Sequence, residues 1–228
     1  MRTVTLPRAP QGAPRVPQRV AVPGAELQML ILAADTGGCI GVDLESGAFV
    51  RASHQPGGDE LSAFDVVAGH IVEPHHGLDL SRPETVALAG APQRVGRLAP
   101  RRAERWLEPL HHPRRGPLLG FPGQCVPYWT LAGDRPSVTL VELMAGPQLR
   151  RGGHGGYDCR FVWQGAHHQL PLVDRRLSAR LDGVGWPRYS SREVQHCVGH
   201  RVRRLLVALS PPQRGYCYKV VAALLPGA

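Results

Sequence analysis

The sequence predicts a mainly β protein made of two small barrels or sandwiches, and three features point that way. Its apolar runs, such as 29–34 and 205–209, have strand length and are bounded by turn residues. Only one long stretch, 97–110, carries a clear helical pattern. Charge divides the chain into blocks: +4 over residues 1–25, −8 over 26–90 and +13 over 91–228, for a net +9. An acidic half followed by a basic half implies two units, with a polyanionic partner drawn to the second.

Residues 1–26 mix Pro, Arg, Gln and Ala without periodicity and are expected to form a disordered basic arm. In "LQMLILAADTGGCIGVDLESGAFVRA" we read strands near 29–34, 39–43 and 48–52, separated by Gly-Gly and Glu-Ser-Gly turns. Further strands are expected near 64–72 and 85–89. "RLAPRRAERWLEPL" reads as a helix with Pro100 near its first turn and Trp106, Leu107 and Leu110 on one side. The second half supplies strands in "SVTLVELM", "DCRFVWQG" and "HHQLPLV", and a short helix capped by Asp174. "VRRLLVALS" and "GYCYKVVAALL" close it across the turn "PPQRG". The expected division is an arm (1–26), an acidic unit (27–97), a helical connector (98–117) and a basic unit (118–228).

Four ordered blocks over residues 28–225 resemble the bacterial dual OB-containing domain family. They are "LILAADTGGCIGVDLESGAFVRA", "APRRAERWLEPL", "CRFVWQGAHHQLPLVD" and "LLVALSPPQRGYCYKVVAALL". The second block departs from the family pattern, with Glu-Arg where an acidic-Asn step precedes the tryptophan. The resemblance implies two OB-like barrels joined by a short helix, and nucleic-acid binding in a repair or defence setting. Barrels of this kind hold single strands by stacking bases on aromatics while a basic groove follows the phosphates.

Strand alternation places Phe49 and Arg51 on one face, the outward one, as a stacking and phosphate pair. The alternative is an Arg51 paired with one of the acids of its own half. On "DCRFVWQ", Cys159, Phe161 and Trp163 share a face that reads as core, which leaves Arg160 on the polar side. Arg150, Arg151, Arg160, Arg203 and Arg204 are expected to concentrate positive charge on the second unit. Among 26 arginines there is a single lysine, Lys219, beside Tyr218 in the final apolar strand. Lys219 is expected either to reach a phosphate in a groove shared with Arg160, to pair with an internal acid, or to snorkel at a barrel edge.

Other classes find less support. The sequence has no P-loop, Gly-x-Ser-x-Gly, His-Glu-x-x-His or Gly-x-Gly-x-x-Gly motif, so no enzymatic activity and no cofactor are expected. His75–His76, His111–His112 and His167–His168 are adjacent pairs, and each supplies at most one ligand from a strand. Cys197 and His200 have helical spacing without a second half-site, which leaves their part in a metal site open. Five cysteines without paired spacings read as reduced thiols of a cytoplasmic protein, and no apolar run is long enough to span a membrane. The expected partner is therefore nucleic acid, single-stranded DNA or RNA. A scaffold that docks a partner enzyme is the alternative.

Overall fold

The computed structural model describes residues 23–35, 38–55, 60–72, 79–131, 137–153 and 155–227. The fold is mainly β, and the described residues fall into two compact units. The first runs to Leu110 and takes in Leu131 and Ser137; the second holds His111–Thr130 and Val138–Gly227. The chain thus divides after Leu110, and the Trp106 helix counts with the first unit instead of standing as a separate connector over 98–117. The expected arm lies outside the described residues, except for 23–26. No described helix is long and apolar enough to cross a membrane.

The first unit contains β1 (Glu26–Asp35), β2 (Gly38–Asp43), β3 (Phe49–Ser53), β4 (Asp65–Val72), β5 (Thr85–Leu88), β6 (Gln93–Arg97) and α1 (Pro100–Leu107). Strand order β1-β2-β3-β5-β4 closes back on β1, which makes a five-stranded barrel, with β3 and β5 parallel and β6 added outside on β4. β1 can serve both neighbours because its first half pairs with β4 and its second with β2. Gly41 is required at that crossing: a Cβ there would lie 2.3 Å from the Leu30 carbonyl oxygen. The β2–β3 turn is built by Asp43, whose carboxylate accepts the N–H groups of Glu45 and Ser46 at 3.2 and 3.1 Å. Leu27, Met29, Ile31, Val50, Val67, Ile71, Val86 and Leu88 fill the barrel. Each such side chain contributes roughly 1.5–3 kcal/mol by leaving water. α1 starts at Pro100, where the missing N–H costs nothing, and buries Ala103, Trp106 and Leu107.

The second unit contains β7 (Cys125–Pro127), β8 (Val138–Glu142), β9 (Gln148–Arg151), β10 (Tyr157–Trp163), β11 (Ala166–Leu172), α2 (Arg175–Val184), β12 (Arg188–Tyr189), α3 (Ser191–Val198), β13 (Val202–Leu209) and β14 (Tyr216–Pro226). Its sheet runs β12-β9-β10-β11-β14-β13-β8, and β7 pairs with β14. β11 and β14 are parallel. β8 and β9 are consecutive stretches of chain, interrupted around the fully exposed Met144. Taken as one broken strand, they pair with β13 first and β10 second, as β1 pairs with β4 and then β2. The second unit therefore repeats the strand connectivity of the first, including the position of the parallel pair. α2 begins as expected at Asp174, whose side chain accepts the Leu177 N–H at 2.9 Å. α3 begins with a capping box between Ser190 and Glu193.

Candidate nucleic-acid interface

On β14 the side chains alternate. Cys217 and Lys219 point inward and are buried, whereas Tyr216 and Tyr218 point out and remain exposed. β7 pairs with this stretch, setting Cys125 opposite Tyr218 and Pro127 opposite Tyr216. The chain then makes a 3-10 turn over Tyr128–Thr130. That turn is held by the Tyr128 N–H donating to the Gly215 carbonyl at 3.1 Å and the Thr130 hydroxyl donating to the Pro127 carbonyl at 2.8 Å. It sets Trp129 6.1 Å from the Tyr216 ring and 5.5 Å from the Tyr128 ring. Trp129 is 63% exposed and Tyr128 47% exposed, which makes an aromatic shelf facing solvent. Gly215 completes it. Its φ is +86°, and a Cβ there would sit 3.1 Å from the indole. Exposed, mutually packed aromatics of this size mark recognition surfaces, and every nucleobase offers a face to stack on them.

Arginines lie on the outward face of the same sheet. Arg160, on β10, faces out and stands opposite Gln148 and Gln169 in the two neighbouring strands. Arg150, on β9, stands opposite Asp158 on one side and Arg188 on the other. Asp158 is engaged by the Gln169 amide, which donates to it at 2.9 Å. Two arginines directly opposite each other on adjacent strands oppose folding by roughly 0.2–1 kcal/mol. Arg150, Arg160 and Arg188 thus share one face of three adjacent strands.

The other arginines expected in a basic groove do not join them. Arg151 points to the opposite side of β9 and pairs with Asp182 of α2 at 3.3 Å. Arg204 is buried, donating to His111 Nε2 at 3.0 Å and to the Pro226 carbonyl at 3.2 Å. Arg203 is half-buried, with its stem packed where a Cβ on Gly227 would lie. A strand carries its residues to alternate faces, so charge that clusters in sequence is split between them. The single groove of five arginines is therefore corrected to a face carrying Arg150 and Arg160.

In the first unit, Phe49 is buried at 4% exposure, which overturns its outward assignment. The small residues on the opposite side of β3 are buried too, so alternation did not separate a wet face from a dry one. Arg51 donates to Glu84 at 3.3 Å and to the Ser137 hydroxyl at 3.2 Å. The Glu84 carboxylate is fully buried and also accepts the Ser137 N–H at 3.1 Å and the Ser137 hydroxyl. Arg51 therefore serves as the counter-ion of an internal acid.

Lys219 is 4% exposed, and its ammonium donates to the Phe121 carbonyl at 2.6 Å while lying 4.1 Å from the centre of the Phe121 ring. Its backbone N–H donates to the Gln124 carbonyl at 2.8 Å. No ion pair to an acid is found for it among the described residues, and it does not share the outward face of Arg160. Burial lowers its pKa from 10.5 to about 8. Its neighbours include His112, edge-on to Trp163 at 4.9 Å, and His168, stacked on Phe161 at 5.1 Å. Both imidazoles are held below their ordinary pKa, chiefly by burial and further by the charge of Lys219. Lys219 thus anchors the 121–124 segment that leads into β7 and the shelf.

Burial pushes the Cys39 thiol up to about 12 and Cys159 higher still, which is the direction opposite to an activated thiolate. Among the described residues no group of three His, Cys, Asp or Glu side chains converges as a metal site. His200 instead contacts the Leu224 carbonyl at 3.2 Å. His75 and His76 lie outside the described residues. No family model, curated protein or solved structure matches this chain.

Of the residues singled out in the sequence, Tyr218, Arg150 and Arg160 lie on the outward side of the sheet, and Tyr128, Trp129, Tyr216 and Arg188, which the sequence reading did not single out, are exposed as well. "VPYWT" carried a signal: two adjacent aromatics in a stretch with no apolar period to bury them. Arg188 carried none, since its face depends on which strand β12 joins.

Proposed function

We propose that this chain is a non-catalytic nucleic-acid-binding module built from two OB-like units, and that it holds a single strand on the outward face of the second. The observation that carries this reading is the packed shelf of Tyr128, Trp129 and Tyr216, exposed with Tyr218 on β14, two strands along the sheet from the outward Arg160 of β10. Bases stack on such surfaces whatever their sequence, while guanidinium groups neutralise the backbone. The repeated barrel connectivity and the resemblance to the dual OB-containing domain family favour the same ligand, and five free cysteines suit a cytoplasmic setting.

Fluorescence anisotropy with labelled single-stranded and duplex oligonucleotides, across a salt series, tests the reading. Stacking contributes about 1–3 kcal/mol per base, so Trp129→Ala/Tyr216→Ala should weaken single-strand binding at least about 30-fold. Trp129 is 63% and Tyr216 40% exposed, so the variant gives up some packing as well, and its thermal midpoint checks that it stays folded at the assay temperature. Equal affinity of the variant and the parent would remove the shelf from the interface. The acidic block over residues 26–90 favours a second reading, a scaffold that docks a basic partner protein. Absence of oligonucleotide binding at low salt would leave that reading in its place.

A further inference from the structure

We propose that Arg150, Arg160 and Arg188 form a clamp for adjacent phosphates of the strand whose bases lie on the Trp129 shelf, an assignment that rests on the nucleic-acid reading above. Arg188 and Arg150 stand directly opposite each other on β12 and β9, and Arg160 is the diagonal neighbour of Arg150 on β10. Like charges are brought together here although acids are close by. Asp182 pairs with Arg151, and Asp158 accepts from Gln169. Among the described residues none of the three arginines has an ion-pair partner within 4.0 Å, so their charge faces outward for an external anion.

The backbone beneath the clamp is fixed. The Arg151 N–H donates to the Pro187 carbonyl at 2.9 Å. Tyr189 is buried; its hydroxyl donates to the Leu181 carbonyl at 2.6 Å and accepts the Trp186 N–H at 3.2 Å. The capping box of α3 follows at once. Arg188 therefore projects from a rigid edge, and only side-chain freedom is lost when an anion binds. From β12 to β14 the sheet crosses four interstrand gaps. At about 4.8 Å per gap the path along the curved sheet is roughly 19 Å, which a single strand of several nucleotides can follow with phosphates at one end and stacked bases at the other.

The test compares the parent chain with Arg150→Gln/Arg188→Gln, using labelled dT12 and inorganic tripolyphosphate as probes. Both side chains are exposed and repel each other, so the variant should keep or slightly raise its thermal midpoint. Two lost phosphate contacts should lower the salt slope by about 1.4 and weaken dT12 binding about 10- to 30-fold at 0.1 M salt. Trp129→Ala/Tyr216→Ala should weaken binding with the slope intact. If the parent binds dT12 and the arginine variant keeps both its slope and its affinity, the clamp is overturned and the shelf stands. If the parent ignores dT12 but binds tripolyphosphate through Arg150 and Arg188, the nucleic-acid reading is overturned and the clamp is upheld as an oligophosphate site. If neither probe binds, both assignments are overturned.

Discussion

Replacing Lys219 with methionine should change stability in opposite directions at neutral and alkaline pH. The native chain releases this proton near pH 8, whereas the unfolded chain holds it to about 10.5. Between those values the unfolded state binds more protons, so native stability rises with pH through that window. Below pH 8 the full cost of burying the ammonium is present. The gap between the two pKa values corresponds to about 3–3.5 kcal/mol. Methionine keeps the buried stem and removes that cost, but leaves the Phe121 carbonyl without its donor, a loss of about 1–2 kcal/mol. Lys219→Met should therefore exceed the parent by about 1–2 kcal/mol at pH 7, and fall about 1–2 kcal/mol below it at pH 10.5. Urea unfolding followed by tryptophan fluorescence, in paired samples from pH 7 to 10.5, measures the difference; groups that titrate in both proteins cancel. A variant at least about 3 kcal/mol less stable at pH 7 would refute the reasoning, because the contacts of the ammonium would then outweigh its desolvation. A difference independent of pH would refute it equally.

Arg51→Met should destabilise the first unit by about 3–5 kcal/mol by leaving the buried Glu84 carboxylate without its counter-ion. Arg51→Met/Glu84→Met should recover most of that loss in a thermal melt, and failure to recover would show that packing, not charge, was lost. Gly215→Ala should cost about 1–3 kcal/mol from its positive φ and also displace Trp129, with a red-shifted emission. Gly116→Ala, at φ +90° in open space, should show the strain without the spectral change.

Much of the first unit was legible. Strands expected at 29–34, 39–43, 48–52, 64–72 and 85–89 correspond to β1 through β5, because apolar runs between glycine turns have few alternatives. β6 went unread, since all five of its residues are exposed and an edge strand carries no apolar signature. α3 was readable and unread: Ser190 and Glu193 form the S-x-x-E pattern that announces a helix start. Phe49 was assigned outward because alternation distinguishes faces only where one face is wet. The shelf depends on β7 pairing with a strand about 90 residues further along the chain, and no local pattern encodes that register.

The repeated connectivity makes it possible to see which parts of the second unit are shared with the first and which are additional. In the first unit the fifth strand, β5, has four residues, and its pairing with β3 accounts for nearly all of it. Its counterpart β14 has eleven, and Tyr216, Cys217 and Tyr218 lie ahead of the point where it meets β11. Those three residues are the ones paired with β7, and Lys219 follows them. Among the described residues nothing in the first unit corresponds to β7, the Tyr128–Thr130 turn or this forward extension. The aromatic shelf is an overhang on a repeated frame. Mutations in it can vary the exposed surface while the frame beneath keeps its fold, and the first unit serves as a reference for the frame without that surface.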